Sequence, residues 1–314
     1  MKVSVCVRTY NLEPFVEEAI RSALAQATAF DFEIVVADDA STDGTRAILE
    51  RLQRAAPERL RLLLQETNVG SMRNQFDAYM ACAGDYVALL DGDDYWLTTD
   101  KLQKQADYLD THPDVSICGT SYTTGTSTRP VPRQQVMNLR DVLESGNSKT
   151  GGGADLLQST IMIRRACLPT LPDWFILESH MPQTDLLFQI LCLQRGSQAF
   201  LSDVSTFYRV HGASLFSSLS TERQLESAVA TWSEVKKHIE PSYHRPINRR
   251  LAGGYFRLSE LYAAVGQRAA AKAALTRAAE YGNFADWVRH LGRTYTPSLY
   301  ESLLTLSAQF RYRE

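Results

Sequence analysis

The chain has 314 residues, of which 44% are apolar and 22% are charged, and its formal net charge is -3. These values are ordinary for globular proteins, so they argue against a disordered chain, a collagen-like repeat and a coiled coil. No nucleic-acid partner is expected.

Charge is unevenly distributed along the chain. Residues 1–221 contain 19 lysines and arginines against 27 aspartates and glutamates, whereas residues 222–314 contain 14 against 9. The basic C-terminal part is typical of a surface for an anionic partner or a membrane, or of an ordinary solvated helical face. No segment resembles a membrane-spanning run or a signal peptide, which predicts a cytoplasmic location, including the inner face of the membrane. The five cysteines are odd in number and widely spaced, so we expect reduced core residues.

Strand and helix signals alternate in the first third of the chain. Short β-branched runs predict strands, and segments with apolar residues at helical spacing predict helices. Such alternation favours a parallel sheet between helices, with ligands outside the carboxyl ends of the strands. The predicted strands are 3–8, 32–37, 60–64 and 86–90, and the predicted helices are 15–26, 45–54 and 73–82.

The rest of the chain has weaker signals. Residues 112–165 look irregular, and we expect loops at the Ser/Thr/Gly-rich stretch 120–129 and at the three glycines 151–153. From residue 221 onward the pattern is helical, which predicts domains at 1–220 and 221–314 and makes the C-terminal helices candidates for peripheral membrane contact or homo-oligomer formation. The further predicted elements are strands at 161–163 and 205–208 and helices at 184–193, 222–239, 247–265, 267–281 and 297–310.

An acidic cluster directly follows the fourth predicted strand. Asp91, Asp93 and Asp94 lie within four residues, so their charges repel one another unless a cation neutralises them. Mg²⁺ or Mn²⁺ held by one or two carboxylates keeps positions free for the phosphates of a nucleotide. The alternative is a group of helix-capping aspartates before Tyr95.

A second acidic group, Asp38-Asp39, follows the second predicted strand and leads into the turn residues up to Gly44. An aspartate at this place can accept hydrogen bonds from a base N–H or a ribose hydroxyl. By itself the segment is also compatible with a simple capped turn.

Taken in order, several segments resemble family 2 glycosyltransferases of the GT-A fold. The match covers about 100 residues closely and extends more loosely to about residue 218. It implies an α/β, Rossmann-like fold of the nucleotide-diphospho-sugar transferase type with a C-terminal helical extension. The segments are Val3-Ser4-Val5, Tyr10-Asn11, Val36 to Gly44, Asn68-Val69-Gly70, Arg73-Asn74, Gly84-Asp85-Tyr86 and Leu90 to Asp94.

The resemblance assigns roles around the nucleotide-sugar. It implies that Tyr10 stacks near the base, that Asp39 reads the base, and that the loop from Asn68 to Arg73 lies beside the donor. A Mn²⁺ or Mg²⁺ ion is implied, and the choice of ligand among the three clustered aspartates stays open. The implied nucleotide-sugar residues are Arg8, Thr9, Tyr10, Asp39, Asn68, Arg73, Asp91 and Asp93, and the implied metal residues are Asp93, Asp94 and His211.

The resemblance also implies an acceptor side. Asp185 matches the family's general base, which would deprotonate the acceptor hydroxyl; capping of the following helix is the alternative role. Thr184 stands where the family usually has Glu, so this sequence lacks the first acid of that motif. Residues on the acceptor or phosphate side are Gln158, Ser159, His180 and Arg209.

The sequence therefore predicts an inverting transfer of a sugar from a nucleoside-diphosphate donor, UDP-linked by preference, to a hydroxyl of a carbohydrate or glycolipid. A bacterial cell-envelope role rests on the resemblance alone. A nucleotidyltransferase would need a Gly- and basic-rich phosphate loop, and residues 8–13 do not form one. A non-catalytic sugar- or partner-binding protein is the other alternative, and the intact acids argue against it.

Overall fold

The computed structural model describes residues 1–128, 136–144, 156–167, 184–211 and 219–282. The chain divides into two compact units, Met1–Ser217 and Ser218–Glu314. Among the described residues, no helix is both long and apolar enough to span a lipid bilayer.

The described residues of the first unit are built around a nine-stranded sheet with the order β3-β2-β1-β4-β8-β6-β9-β5, in which β7 also pairs with β9. The first four strands are rich in Val, Ile and Leu because helices cover both faces of the sheet. The strands are β1 (Val3–Thr9), β2 (Phe32–Asp38), β3 (Leu60–Leu64), β4 (Tyr86–Asp91), β5 (Tyr95–Trp96), β6 (Val115–Thr123), β7 (Val136–Met137), β8 (Met162–Arg164) and β9 (Ser197–Phe207).

Only part of this sheet is parallel. Strands β1 to β4 pair in parallel, as the alternating pattern predicts. Strand β8, however, runs antiparallel to both of its neighbours, and β5 and β7 run antiparallel to β9. The expectation of a parallel sheet, drawn from the first third of the chain, is therefore confirmed there, and the remainder of the sheet is mixed.

The helices of the first unit bury one apolar face each. In the first helix Val16, Ala19, Ile20 and Ala23 are buried, which is the i, i+3, i+4, i+7 spacing of a helix packed on a sheet. The helix after β5 had no counterpart in the sequence prediction. The helices are α1 (Val16–Leu24), α2 (Thr45–Ala55), α3 (Ser71–Ala81), α4 (Lys101–Thr111), α5 (Leu139–Glu144) and α6 (Thr184–Leu193).

Strand β6 corrects the prediction for the middle of the chain. Residues 120–123 lie in the stretch expected to form a loop, yet they complete a nine-residue strand between β8 and β9. Ser, Thr and Gly indicate a loop when they are exposed. Here Ser121, Tyr122 and Thr123 pair with β9, and Thr120 and Ser121 are buried, so the tertiary neighbours override the local signal.

The second unit is helical in its described part. Its helices are α7 (Thr221–His238), α8 (His244–Ala264) and α9 (Arg268–Tyr281). Helix α7 starts at Ser220, whose hydroxyl accepts from the backbone N–H of Arg223. Helix α8 lies close to α7, since a Cβ added at Gly254 would come 2.6 Å from the side chain of Val229. The helix predicted at 297–310 lies outside the described residues.

All five cysteines are buried and unpaired, which agrees with the prediction of reduced core residues. Burial also raises the pKa of the Cys118 thiol to about 12, and such a thiol is a poor nucleophile.

Candidate active site

The sheet brings the polar strand ends together. In the parallel register Arg8 of β1 lies opposite Asp91 of β4, and Thr9 lies opposite Asp38 of β2. Side chains from three strands therefore meet at the carboxyl edge of the sheet, where open α/β sheets bind ligands.

Gly92 allows β4 to end against β1. A Cβ at this position would lie 2.8 Å from the Thr9 methyl group and 3.0 Å from the Arg8 carbonyl oxygen. The Gly92 N–H instead donates to that carbonyl at 3.1 Å. The glycine in the acidic cluster is therefore required by packing. After it the chain makes a turn and enters β5, so the helix-capping interpretation of the cluster is wrong.

Asp91 is neutralised within the protein. The Arg8 Nε atom lies 2.7 Å from Asp91 Oδ1, and both side chains are about four-fifths buried. Arg8 also donates through Nη1 to Gln75 Oε1 at 2.8 Å. Arg8, which was expected beside the nucleotide, thus forms an ion pair with Asp91 of the acidic cluster.

Asp94 is held by protein donors at both oxygens. The Ser159 hydroxyl donates to Oδ2 at 2.5 Å and the Arg209 backbone N–H donates to Oδ1 at 2.9 Å. Only 1% of the residue is exposed. Burial, together with the charges of Asp91 and Asp93, raises the pKa of Asp94 to about 8.

Asp93 and His211 face each other at 3.0 Å between Oδ2 and Nε2. Burial and the charge of Asp91 raise the pKa of Asp93, and the bond from His211 opposes that shift. The His211 ring packs against Phe15, with ring centroids 4.6 Å apart. Both polar groups keep partial exposure, 23% for Asp93 and 14% for His211.

The metal role of Asp93, Asp94 and His211 stays a prediction, and of these residues Asp93 and His211 are in contact. Among the residues that the structure describes, no three His, Cys, Asp or Glu side chains are grouped so as to hold an ion. The reason lies in Asp94, whose oxygens face Ser159 and the Arg209 backbone. Asp93 and His211 still fit a hard divalent cation, because they offer oxygen and nitrogen donors beside uncompensated negative charge.

Arg209 contacts protein groups at each end of its guanidinium. Its Nε donates to the Asp93 carbonyl at 2.7 Å and its Nη2 pairs with Glu18 at 2.7 Å. The group also lies over the rings of Phe15 and Tyr95, at 4.9 and 5.2 Å. The side chain expected beside phosphate therefore fastens the segment after β9 to α1 and β5.

Asp38 and Asp39 have different surroundings. Asp38 is fully buried and accepts from the Thr9 hydroxyl at 3.0 Å and from Arg46 Nε at 2.6 Å. The role of Thr9 beside the nucleotide stays a prediction; in this structure its hydroxyl donates to Asp38. Asp39 accepts from the Val69 N–H at 2.7 Å, and burial raises its pKa.

The loop between β3 and α3 lies against Asp39. Asn68 donates through Nδ2 to the Asp39 carbonyl at 3.2 Å. Arg73 is half exposed and pairs with Asp77 at 2.9 Å. Tyr10, after β1, is 46% exposed. These side chains lie at the same carboxyl edge of the sheet. Two of them, Tyr10 and Arg73, are exposed enough to contact a ligand.

The predicted pocket residues Gln158 and Ser159 form a buried turn beside the cluster. Gln158 Nε2 lies 3.4 Å from Asp91 Oδ1. Ser159 accepts from the Asp91 N–H at 3.1 Å while its carbonyl accepts from Trp96 Nε1 at 2.9 Å. Long-range contacts thus bring this segment to the strand end.

Two residues predicted on the acceptor side, His180 and Asp185, lie wholly or partly outside the described part of the structure. His180 lies outside the described residues, and so does the side chain of Asp185. The backbone of Asp185 is the second residue of α6.

Two further side chains at this site, Tyr208 and Gln75, received no role of their own from the sequence. The phenol of Tyr208 lies in the field of the acidic cluster, since burial and the charges of Asp94, Asp93 and Asp91 raise its pKa to about 12. Its position directly before Arg209 was the available signal. Gln75 had none, because a glutamine within a helix carries no motif.

Comparison with known proteins gives a family match. A family model described as "Glycosyl transferase family 2" matches residues 4–170, more than half of the chain. An uncharacterised protein of Mycobacterium tuberculosis is 41% identical over 116 residues, which is 37% of this chain and 34% of that protein. The chain thus matches about a third of the length of that relative. The Escherichia coli protein "UDP-Glc:alpha-D-GlcNAc-diphosphoundecaprenol beta-1,3-glucosyltransferase WfaP" is 26% identical over 245 residues, covering 75% of this chain and 88% of WfaP.

Two solved structures share the fold. TarS 1-349 of Staphylococcus aureus in complex with UDP-GlcNAc has a TM-score of 0.65 at 21% identity and covers 92% of this chain and 81% of its own. The mannosyltransferase PcManGT of Pyrobaculum calidifontis, in complex with GDP-Man and Mn²⁺, has a TM-score of 0.60 at 21% identity and covers 100% and 81%. At these identities the likeness shows the fold alone, a GT-A-like α/β sheet with helices.

Proposed function

The chain belongs to glycosyl transferase family 2, and on this premise we propose that it transfers a sugar from a UDP-sugar to a hydroxyl of a carbohydrate or glycolipid acceptor, with inversion at the anomeric carbon. The observation that carries the proposal is the crowding of Asp91, Asp93 and Asp94 at the edge of the sheet where Asp39 follows β2. The raised pKa values of Asp39, Asp93 and Asp94 mean that these carboxyl groups disfavour their own negative charge, so a bound cation would relieve it.

The comparisons support the donor class. The solved TarS complex contains UDP-GlcNAc, and the name of WfaP specifies UDP-Glc. In this chain the Asp39 carboxylate, with the exposed Tyr10 ring beside the same edge, offers an acceptor and a stacking surface for a base.

A divalent cation is part of the proposal, and the Mn²⁺ complex of PcManGT supports it. Asp93 and His211 would hold the ion, since Asp94 is already bonded at both oxygens. When bound, the ion would neutralise charge on the leaving diphosphate.

Asp185 is the proposed general base. As the acceptor oxygen attacks the anomeric carbon, the bond from that carbon to the diphosphate breaks and the hydroxyl proton passes to the carboxylate. One displacement of this kind inverts the configuration and releases UDP. The position of Asp185 at the start of α6 and the family membership of the chain support this role.

The setting is also proposed. The name of WfaP specifies an undecaprenol-linked acceptor, which supports a lipid-linked acceptor and work at the cytoplasmic face of a membrane in cell-envelope synthesis.

The test is UDP release from UDP-glucose and UDP-GlcNAc with Mn²⁺, followed in the wild type, in Asp185→Asn and in Asp203→Asn. Asp203 is the matched control, because it is an exposed aspartate that pairs with Lys104. We expect Asp185→Asn to lose about 10² to 10⁴ in rate while keeping its affinity for UDP. Asp203→Asn should match the wild type. Wild-type protein inactive with both donors, or a fully active Asp185→Asn, would contradict the proposal.

A further inference from the structure

Helix α6, which carries Asp185, is attached to the rest of the unit by an aromatic stack. Phe188 lies three residues after Asp185 and stacks on Tyr79 of α3, with ring centroids 4.6 Å apart and planes 19° from parallel. Both residues are buried, at 2% and 4% exposure. The stack therefore fixes the first turns of α6 against α3.

Tyr79 is also the last member of a buried polar chain. Gln75 donates through Nε2 to the Tyr79 hydroxyl and accepts at Oε1 from Arg8 Nη1 at 2.8 Å. Arg8 in turn pairs through Nε with Asp91 at 2.7 Å. Successive contacts thus connect the acidic cluster to the helix of the proposed base.

A second route joins the same two places. Gln189, the neighbour of Phe188, donates to the Leu156 carbonyl at 2.8 Å and accepts from the Leu156 N–H at 3.3 Å. Gln158, two residues after Leu156 in the chain, lies with its Nε2 atom 3.4 Å from Asp91 Oδ1. Both routes end at Asp91.

Filling the space between α3 and α6 would not need these polar groups. Burying a glutamine and an arginine costs free energy unless every donor and acceptor is placed correctly, whereas apolar side chains fill space without that requirement. What a buried hydrogen-bond chain adds is a defined geometry. Catalysis depends on such definition, because a displacement of about 1 Å can cost about 10² in rate.

We propose that Arg8, Gln75 and Tyr79 are positioning residues that set the distance between the acidic cluster and the helix carrying Asp185. The inference rests on the proposed function, in which the acidic cluster serves the donor and Asp185 serves the acceptor of the same transfer. In this inference Arg8 helps to place the helix that carries the proposed base at the correct distance from the donor site.

Tyr79→Phe and Gln75→Leu test this inference in the full chain. Tyr79→Phe keeps the stack on Phe188 and removes one hydroxyl. The matched control is Tyr86→Phe, because Tyr86 is equally buried and its hydroxyl donates to Asp110 at 2.6 Å at the opposite end of β4. The assay measures kcat and KM of UDP release from UDP-glucose and UDP-GlcNAc with Mn²⁺, and UDP affinity by calorimetry.

We expect Tyr79→Phe and Gln75→Leu to lower kcat about tenfold with UDP affinity within about twofold of wild type, and Tyr86→Phe to leave both unchanged. The double variant Tyr79→Phe/Gln75→Leu should lose no more than the worse single variant, since both interrupt one chain. In Tyr79→Phe/Tyr86→Phe the separate effects should multiply.

Two results would overturn the inference: kcat of Tyr79→Phe equal to that of Tyr86→Phe, or kcat and UDP affinity falling together, which indicates a packing role. If Gln75→Leu unfolds because it removes the Arg8–Gln75 hydrogen bond, the conservative Tyr79→Phe still decides. Wild-type protein that releases no UDP would overturn the proposed function as well, whereas a fully active Tyr79→Phe overturns only the inference.

Discussion

The two ends of the sheet contain similar ionisable residues in opposite states. At the amino end, Lys2 and the Tyr86 hydroxyl both bond Asp110, at 2.7 and 2.6 Å, and these bonds hold the pKa of Asp110 below its usual range. At the carboxyl end, burial and mutual repulsion hold the pKa values of Asp93 and Asp94 above theirs.

The difference shows which end is prepared for a ligand. The amino end contains a cavity of about 410 Å³, but the arginines that line it are already bonded to backbone carbonyls, Arg164 at 2.8 Å and Arg165 at 2.7 Å. These guanidinium groups already have hydrogen-bond partners within the protein. At the carboxyl end the carboxyl groups of Asp93 and Asp94 disfavour their own ionisation, so electrostatics identifies this end as the candidate site.

Among the variants that compare the two ends, the largest expected effect comes from Asp93→Asn. It should lower UDP release by about 10² to 10³ and weaken Mn²⁺ binding measured by calorimetry. Its thermal stability should not fall, because the raised pKa means that the ionised carboxylate opposes folding. Asp110→Asn at the amino end is the control and should show the reverse: full activity and a small loss of stability. An Asp93→Asn variant as active as Asp110→Asn would contradict the assignment of the active site to the carboxyl end.

The pH dependence of stability should also separate the ends. The Asp94 pKa is about 8 in the folded protein and about 4 in an unfolded chain, so between these values the folded state binds the extra proton. The free energy of unfolding of the metal-free protein should therefore decrease as pH rises from about 4 to 8, by up to about 1.4 kcal/mol per pH unit from this group. Asp110 acts in the opposite sense, since its lowered pKa contributes stability above pH ~4 that is lost in acid.

Urea titrations in EDTA at several pH values measure how the free energy of unfolding changes with pH. The Asp94→Asn substitution should flatten this slope. A stability that rises over this range would contradict the assignment.

Two buried serines offer a matched pair with a smaller effect. Ser159 donates to Asp94 and accepts from the Asp91 N–H, whereas Ser4 donates to Glu33 at 2.6 Å and accepts from the Gly84 N–H at 2.8 Å. Replacement of either by alanine should cost about 1 to 3 kcal/mol of unfolding free energy, because each serine donates one buried hydrogen bond and accepts another. Only Ser159→Ala should also lose activity, by about tenfold. Equal activity in both variants would contradict a role for Ser159 in placing Asp94.

The smallest effect is expected for Lys2→Met. Its ion pair with Asp110 is partly exposed, so the loss of stability should stay below about 1 kcal/mol. UDP release and UDP affinity should match the wild type. A loss of UDP affinity in this variant would mean that the amino-end cavity takes part in binding.

The family membership, the first four strands and the bounds of α6 were all correct from sequence, because each depends on local patterns or on an ordered series of short motifs. The same patterns placed acids at the ends of β2 and β4 and so located the candidate site. They could not predict β6, whose strand state depends on the neighbours β8 and β9.

The sequence by itself determined which residue types stand at the carboxyl ends of the strands, since a parallel sheet brings those ends to one edge. Only the tertiary structure decided what each residue does there. Arg8 and Asp91 are 83 residues apart, Ser159 and Asp94 are 65 apart, and Arg209 and Asp94 are 115 apart. A side chain's role follows from the donors and acceptors that surround it in space, and contacts over such separations leave no mark in local periodicity.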